Sequence, residues 1–135
     1  MPDSGVIRVN GQYRLGPVLA NGASGMWLMN VPLFSSLHLV GEVYQACNIS
    51  NNSLVAVKLE DSASDPSQVE CEYAIYRKLG HQPGIPKVLW YGREGEYTAL
   101  IMELLGTSLH EHTTKYGPCP LAMIVSVSIQ VVCDL

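Results

Sequence analysis

At 135 residues, with 47% apolar and 15% charged side chains, the chain has enough hydrophobic material for one packed domain and too little charge for a disordered acidic or basic tail. A formal charge of −4, with eight Lys and Arg scattered along the sequence, argues against a nucleic-acid-binding face, which needs clustered cations. The four cysteines, Cys47, Cys71, Cys119 and Cys133, form no C-x-x-C pair, so reduced thiols fit better than a disulfide framework or a zinc site.

The N-terminus, MPDSGVIRVNGQYRLG, lacks the apolar stretch of a secretory signal. Without export, the sequons at Asn48 and Asn51 read as loop residues. YRLGPVLANG carries Leu15, Val18 and Leu19 and then a turn cluster, which predicts a strand running into a glycine loop. The apolar run from Met26 to Val40 is the one membrane candidate. Spanning a bilayer takes ~20 apolar residues, and this run is shorter and broken by Asn30, Pro32, two serines and His38.

EVYQACNISNNSLVAVKLE predicts two strands, Glu42 to Cys47 and Leu54 to Leu59, joined by a turn at NISNNS. The period then changes: Val69, Tyr73, Tyr76 and Leu79 fall at helical spacing, with Ser67 or Asp65 to cap the start and Gly80 to end it. GIPKVLWYGREGEYTALIMELLG returns to strand character, two runs split by GREGE and closed by Gly106. The tail is ambiguous, since Val125 to Val131 nearly alternates as a strand would. Its length and the preceding GPCP favour a helix from about Leu121. The expected class is α+β, an antiparallel sheet with a helix packed on it.

In VAVKLE, Lys58 sits near the end of an otherwise apolar strand. Such an ammonium must reach water or meet an anion, because an unpaired buried charge is too costly. Fourteen residues on, within the predicted helix, stands Glu72. A strand Lys held by a helix Glu and preceded by a glycine loop is the arrangement with which protein kinases grip ATP phosphates. On YRLG, VAVKLE, ECEYAIYRKL, PGIPKVLWYGREGEY and above all MELLGTSL, the sequence resembles the casein kinase I family of serine/threonine kinases, almost from Val9 to its end.

The resemblance implies a kinase small lobe with its regulatory helix, a hinge and the first helices of a large lobe. Residues 1–8 would be a tail, 9–105 the small lobe with an apolar insertion at 26–41, and 106–135 the start of an incomplete large lobe. It implies that Lys58 contacts the phosphates, Glu72 orients it, Leu19, Val43 and Ala56 roof the adenine, Met102 is the gatekeeper, and Glu103 to Leu105 form the hinge. ATP and Mg²⁺ would be the cofactors, protein serines and threonines the substrates, and cytoplasm or nucleus the location. Neither nucleic acid nor a membrane is expected as a partner.

Two departures qualify this. In the G-x-G-x-x-G loop, Ala20 replaces the first glycine, while Gly22 and Gly25 match the second and third; a β-carbon costs about 1 kcal/mol where φ must be positive. Ser24 stands where the family usually carries an aromatic, and Met26 to Gly41 then separates Gly25 from Glu42, where a hairpin loop holds ~2 to 5 residues. Gly25-Met26-Trp27 is encoded GGN-ATG-TGG, and T at N spells GTATGT, a common intron start. The loop-length rule therefore favours a retained intron over a genuine flap.

The second departure is an absence. No H-R-D-type catalytic loop, metal-binding Asn or D-F-G string occurs, and the sequence ends at QVVCDL. The chain as written is expected not to turn over, with weak nucleotide contact the most it could retain, and to carry neither a catalytic residue nor a metal site; His110 and His112 read as solvated. Ile124, Val125, Ile129, Val131 and Val132 would lack cover and lower solubility. A non-catalytic interaction module built on a truncated kinase lobe, and a membrane-surface binder using Met26 to Val40, stay open as other classes.

Overall fold

The computed structural model describes residues 7–20 and 42–133. Its elements, in chain order, are β1 (Arg8–Val9), β2 (Tyr13–Ala20), β3 (Glu42–Asn48), β4 (Leu54–Asp61), α1 (Gln68–Leu79), β5 (Val88–Glu94), β6 (Tyr97–Glu103), α2 (Leu109–Tyr116) and α3 (Leu121–Cys133). The six strands form one antiparallel sheet in the order β1-β2-β3-β4-β6-β5. The expected strands, the helix between them and the helical reading of the tail all correspond to observed elements. β1 was not foreseen, and β3 and β4 run slightly beyond the expected ends.

Period-2 alternation on β4 divides the sheet into two chemically distinct faces. Val55 and Val57 join Val9, Tyr13, Ala46, Ala99 and Ile101 in one buried cluster. Ala56 joins Leu100, Met102 and Val69 in a second, flanked by Val43, Tyr73, Tyr76, Val88, Tyr91 and Leu104. α1 covers this second face, packing against β4, β5 and β6. Stacking of Tyr73 on Tyr91, with centroids 4.2 Å apart and planes 12° from parallel, fixes the helix laterally.

Helix ends follow local chemistry. The Ser67 hydroxyl oxygen accepts from the Glu70 N–H at 3.1 Å, and Gly80, at φ 67°, closes α1 by donating its N–H to the Tyr76 carbonyl at 3.0 Å. α3 begins after Pro120, whose carbonyl accepts from the Ile124 N–H at 3.1 Å. Along α3, Leu121, Ile124, Val125, Ile129 and Val132 are exposed, Leu121 by 76%. Among the described residues no helix is long and apolar enough to cross a membrane.

The expectation for the run at 26–41 lies outside the described residues, as do Gly22 and Gly25. On either side of it, Ala20 and Val43 are register partners across β2 and β3, so the chain leaves and re-enters the sheet at adjacent positions.

Candidate functional site

The site grows from the alternation of β4. With Val55 and Val57 directed to one cluster, Ala56, Lys58 and Glu60 turn to the face that α1 covers. Lys58 lies opposite Val43 on β3 and opposite Leu100 on β6, so apolar neighbours flank it within the sheet. Only 9% of the residue is exposed. An ammonium in such surroundings needs an anion, and Glu72 supplies it: Lys58 Nζ donates to Glu72 Oε1.

Helical geometry puts Glu72 within reach. Val69 is fully buried against the sheet, and Glu72, Tyr73 and Tyr76 follow at i+3, i+4 and i+7 on the same side. Glu72 Oε2 is buried and has no partner among the described residues. One turn on, burial and then the Glu72 carboxylate push the Tyr76 phenol up to about 12. Burial, then Glu70, Glu60 and Tyr73, raise Tyr91; on β3, the hydrogen bond to Glu42 is the largest of several effects raising Tyr44.

At the end of β6 the chain turns toward α2. Ala56 pairs with Met102, and both are buried in the second cluster with Leu104 against it. The Glu103 N–H donates to the Lys87 carbonyl at 2.9 Å, and the Lys87 N–H donates to Glu103 Oε2 at 3.3 Å, which ties the exit of β6 to the entry of β5. Leu105 lies beyond this tie and is exposed; among the described residues its N–H has no backbone partner.

Five of the sequence-predicted residues, Val43, Ala56, Lys58, Glu72 and Met102, therefore share one face of the sheet and its helix. Leu19 on β2 and Leu105 stand at the margins, each about half exposed, and Glu103 turns its side chain to the β5 entry. His110 is exposed, and the His112 ring lies 4.9 Å from that of Tyr116; no group of three or more His, Cys, Asp or Glu able to hold a metal occurs among the described residues. Sequence reasoning missed Glu60, whose carboxylate is buried on the Lys58 face. Its signal was the period-2 step from Lys58, obscured because a Glu at a strand end ordinarily faces water.

The donor chemistry fits a phosphate. Lys58 gives one of its N–H donors to Glu72, and an ammonium carries three, so the others can meet anionic oxygens.

No family profile matches the chain. It is 34% identical over 121 residues to Casein kinase I homolog 3 of Schizosaccharomyces pombe; the match covers 87% of this chain and 24% of that protein. The chain thus spans about a quarter of the length of this curated relative.

Proposed function

We propose that the chain is a segment of a casein-kinase-I-like kinase, and that its sheet and α1 form the ATP-binding small lobe of a protein serine/threonine kinase, with α1 as the regulatory helix. The Lys58–Glu72 pair carries this reading. Lys58 directs its remaining N–H donors at the α- and β-phosphates, and Glu72 holds the ammonium in place for them. Leu19, Val43 and Ala56 cover the adenine, Met102 limits the depth of its pocket, and the backbone of Glu103 to Leu105 reads its edge. Gly22 and Gly25 belong to the phosphate loop in this scheme. By extent, residues 9–105 are the small lobe and 106–135 open the next one.

In the whole protein the nucleotide supplies a phosphoryl group for a protein hydroxyl. This chain's own residues bind and orient; they include no H-R-D or D-F-G string to take up a proton or carry a metal, so the proposed property of the chain alone is nucleotide contact without turnover. The test is titration of the full chain with a fluorescent ATP analogue beside its Lys58→Met variant. Saturable binding weakened at least about tenfold is expected, in line with the loss of one or two charge-assisted hydrogen bonds to phosphate. Equal binding by both proteins would sink the assignment.

A second reading concerns residues 26–41 alone. The Ala20–Val43 register favours it, because the two strands meet without needing a long connection. In this reading the run is an intron left in the coding sequence, and a mature transcript that still encodes MWLMN would end it.

A further inference from the structure

Glu60 is only 4% exposed, yet the nucleotide reading gives it no task. A buried carboxylate survives only with donors around it. Among the described residues its two donors come from the start of α1: the Ser67 hydroxyl donates to Oε2 at 2.6 Å and the Gln68 N–H donates to Oε1 at 2.9 Å. The Ser67 oxygen in turn accepts from the Glu70 N–H at 3.1 Å. One hydroxyl therefore caps the helix and ties it to the strand. The Gln68 N–H is among the donors that a helix leaves unsatisfied in its first turn, and the carboxylate sits at the positive end of the helix dipole.

The spacing of the contacts gives them a joint meaning. Lys58 and Glu60 are two residues apart on β4, about 6.7 Å at the usual strand rise. Their targets, Glu72 and Gln68, are four residues apart on α1, about 6 Å at the helical rise. The strand and the helix are thus joined at two points whose separations match. The polarities are opposed: a strand cation meets a helix anion, and a strand anion meets helix donors. Val69 and the Tyr73–Tyr91 stack hold α1 on the sheet by packing. The Glu60 contacts add a second polar tie to β4 beside the ion pair.

We propose that Glu60 is a positioning residue: it pins the start of α1 to β4 so that Glu72 stays on Lys58. It touches no nucleotide and acts through the lysine. Its functional consequence, though not the clamp itself, rests on the reading of Lys58 as the phosphate contact.

The test compares the full chain with Glu60→Ala, Glu60→Gln, Ser67→Ala, and the double variant Glu60→Ala with Ser67→Asp. Acylation of each lysine by acetic anhydride is followed by mass spectrometry, with exposed Lys78 and Lys115 as internal references. Circular dichroism verifies that each variant folds. Relative acylation of Lys58 should rise about tenfold in Glu60→Ala, the change in an opening equilibrium that loss of a charge-assisted hydrogen bond produces. Glu60→Gln, which keeps one acceptor, and Ser67→Ala, which removes one of the two donors, should fall between; they carry the test should Glu60→Ala not fold.

Ser67→Asp supplies a helix cap of its own but no tie to the strand. Lys58 should therefore stay reactive in the double variant. Full return of protection there would reduce Glu60 to a capping role and overturn the clamp, as would unchanged protection in the folded single variants. Affinity for the fluorescent ATP analogue is measured in parallel and should fall in step with Lys58 protection. Absence of nucleotide binding by the parent chain, with the acylation pattern as expected, supports the clamp and overturns the nucleotide reading instead.

Discussion

α1 and α2 are near twins in their end chemistry. Each starts at a serine whose hydroxyl oxygen accepts from the N–H three residues on at 3.1 Å, Ser67 from Glu70 and Ser108 from Glu111. Each ends at a glycine of positive φ, Gly80 at 67° and Gly117 at 85°, which returns its N–H to a carbonyl of the last turn. Their surroundings differ. α1 buries Val69, stacks Tyr73 on Tyr91 and holds Glu72 on Lys58, whereas none of the described residues of α2 is buried. End signals decide where a helix begins and stops; burial decides whether the rest of the molecule depends on it.

Truncation along the two helices separates these roles most strongly. Val69→Ala removes two methyl groups from a fully buried site and is expected to lower unfolding free energy by about 1.5–3 kcal/mol. Leu109→Ala in α2, where the side chain is 50% exposed, should stay within about 0.5 kcal/mol. Urea melts of the two variants against the parent chain check this. Comparable losses at both positions would mean that α2 is packed on something in solution.

Much of this contrast lies beyond what a linear sequence displays. Helical spacing of Val69, Tyr73 and Tyr76 marked the buried face of α1, and Ser67 and Gly80 marked its ends, because these signals are local and repeat along the chain. The alternation in VAVKLE likewise exposed Lys58 as an anomaly. β1 escaped notice because two residues hold no period, and it exists only through its pairing with β2, Arg8 opposite Arg14 and Val9 opposite Tyr13. The task of Glu60 depends on α1 folding back across β4, which no spacing rule encodes. Ile124, Val125, Ile129 and Val132 of α3 were legible as part of an apolar patch, and they are exposed, Ile129 by 56%.

A titration probes the covered face more gently. Burial and the nearby Glu72 carboxylate hold the Tyr76 phenol near 12 in the folded chain against its ordinary 10. The neutral phenol is the form the fold favours, so this group's contribution to stability is full below pH 10 and is lost as pH rises through about 12. Tyr76→Phe should flatten that alkaline decline in melting temperature. The effect should be smaller than that of Val69→Ala, since the ring of Tyr76 is only half-buried. An unchanged alkaline slope in Tyr76→Phe would remove Tyr76 as its source.

The sharpest form of the comparison deletes the same hydroxyl oxygen from two equivalent caps. Replacing an N-cap serine by alanine leaves one first-turn N–H without its partner and costs about 1 kcal/mol where the helix contributes to the cooperative unit. Ser67→Ala should reach or exceed that value, since the same hydroxyl also donates to Glu60. Ser108→Ala frays α2 instead. With none of its described residues buried, that fraying is a local opening and leaves the global transition where it was. Melting by near-ultraviolet circular dichroism, which follows the packed tyrosines, should shift only for Ser67→Ala, while amide exchange in Leu109–Tyr116 should quicken only for Ser108→Ala. Equal shifts of the global melt would show that the two helices belong to one cooperative unit, and the contrast between them would then reside in their ends after all.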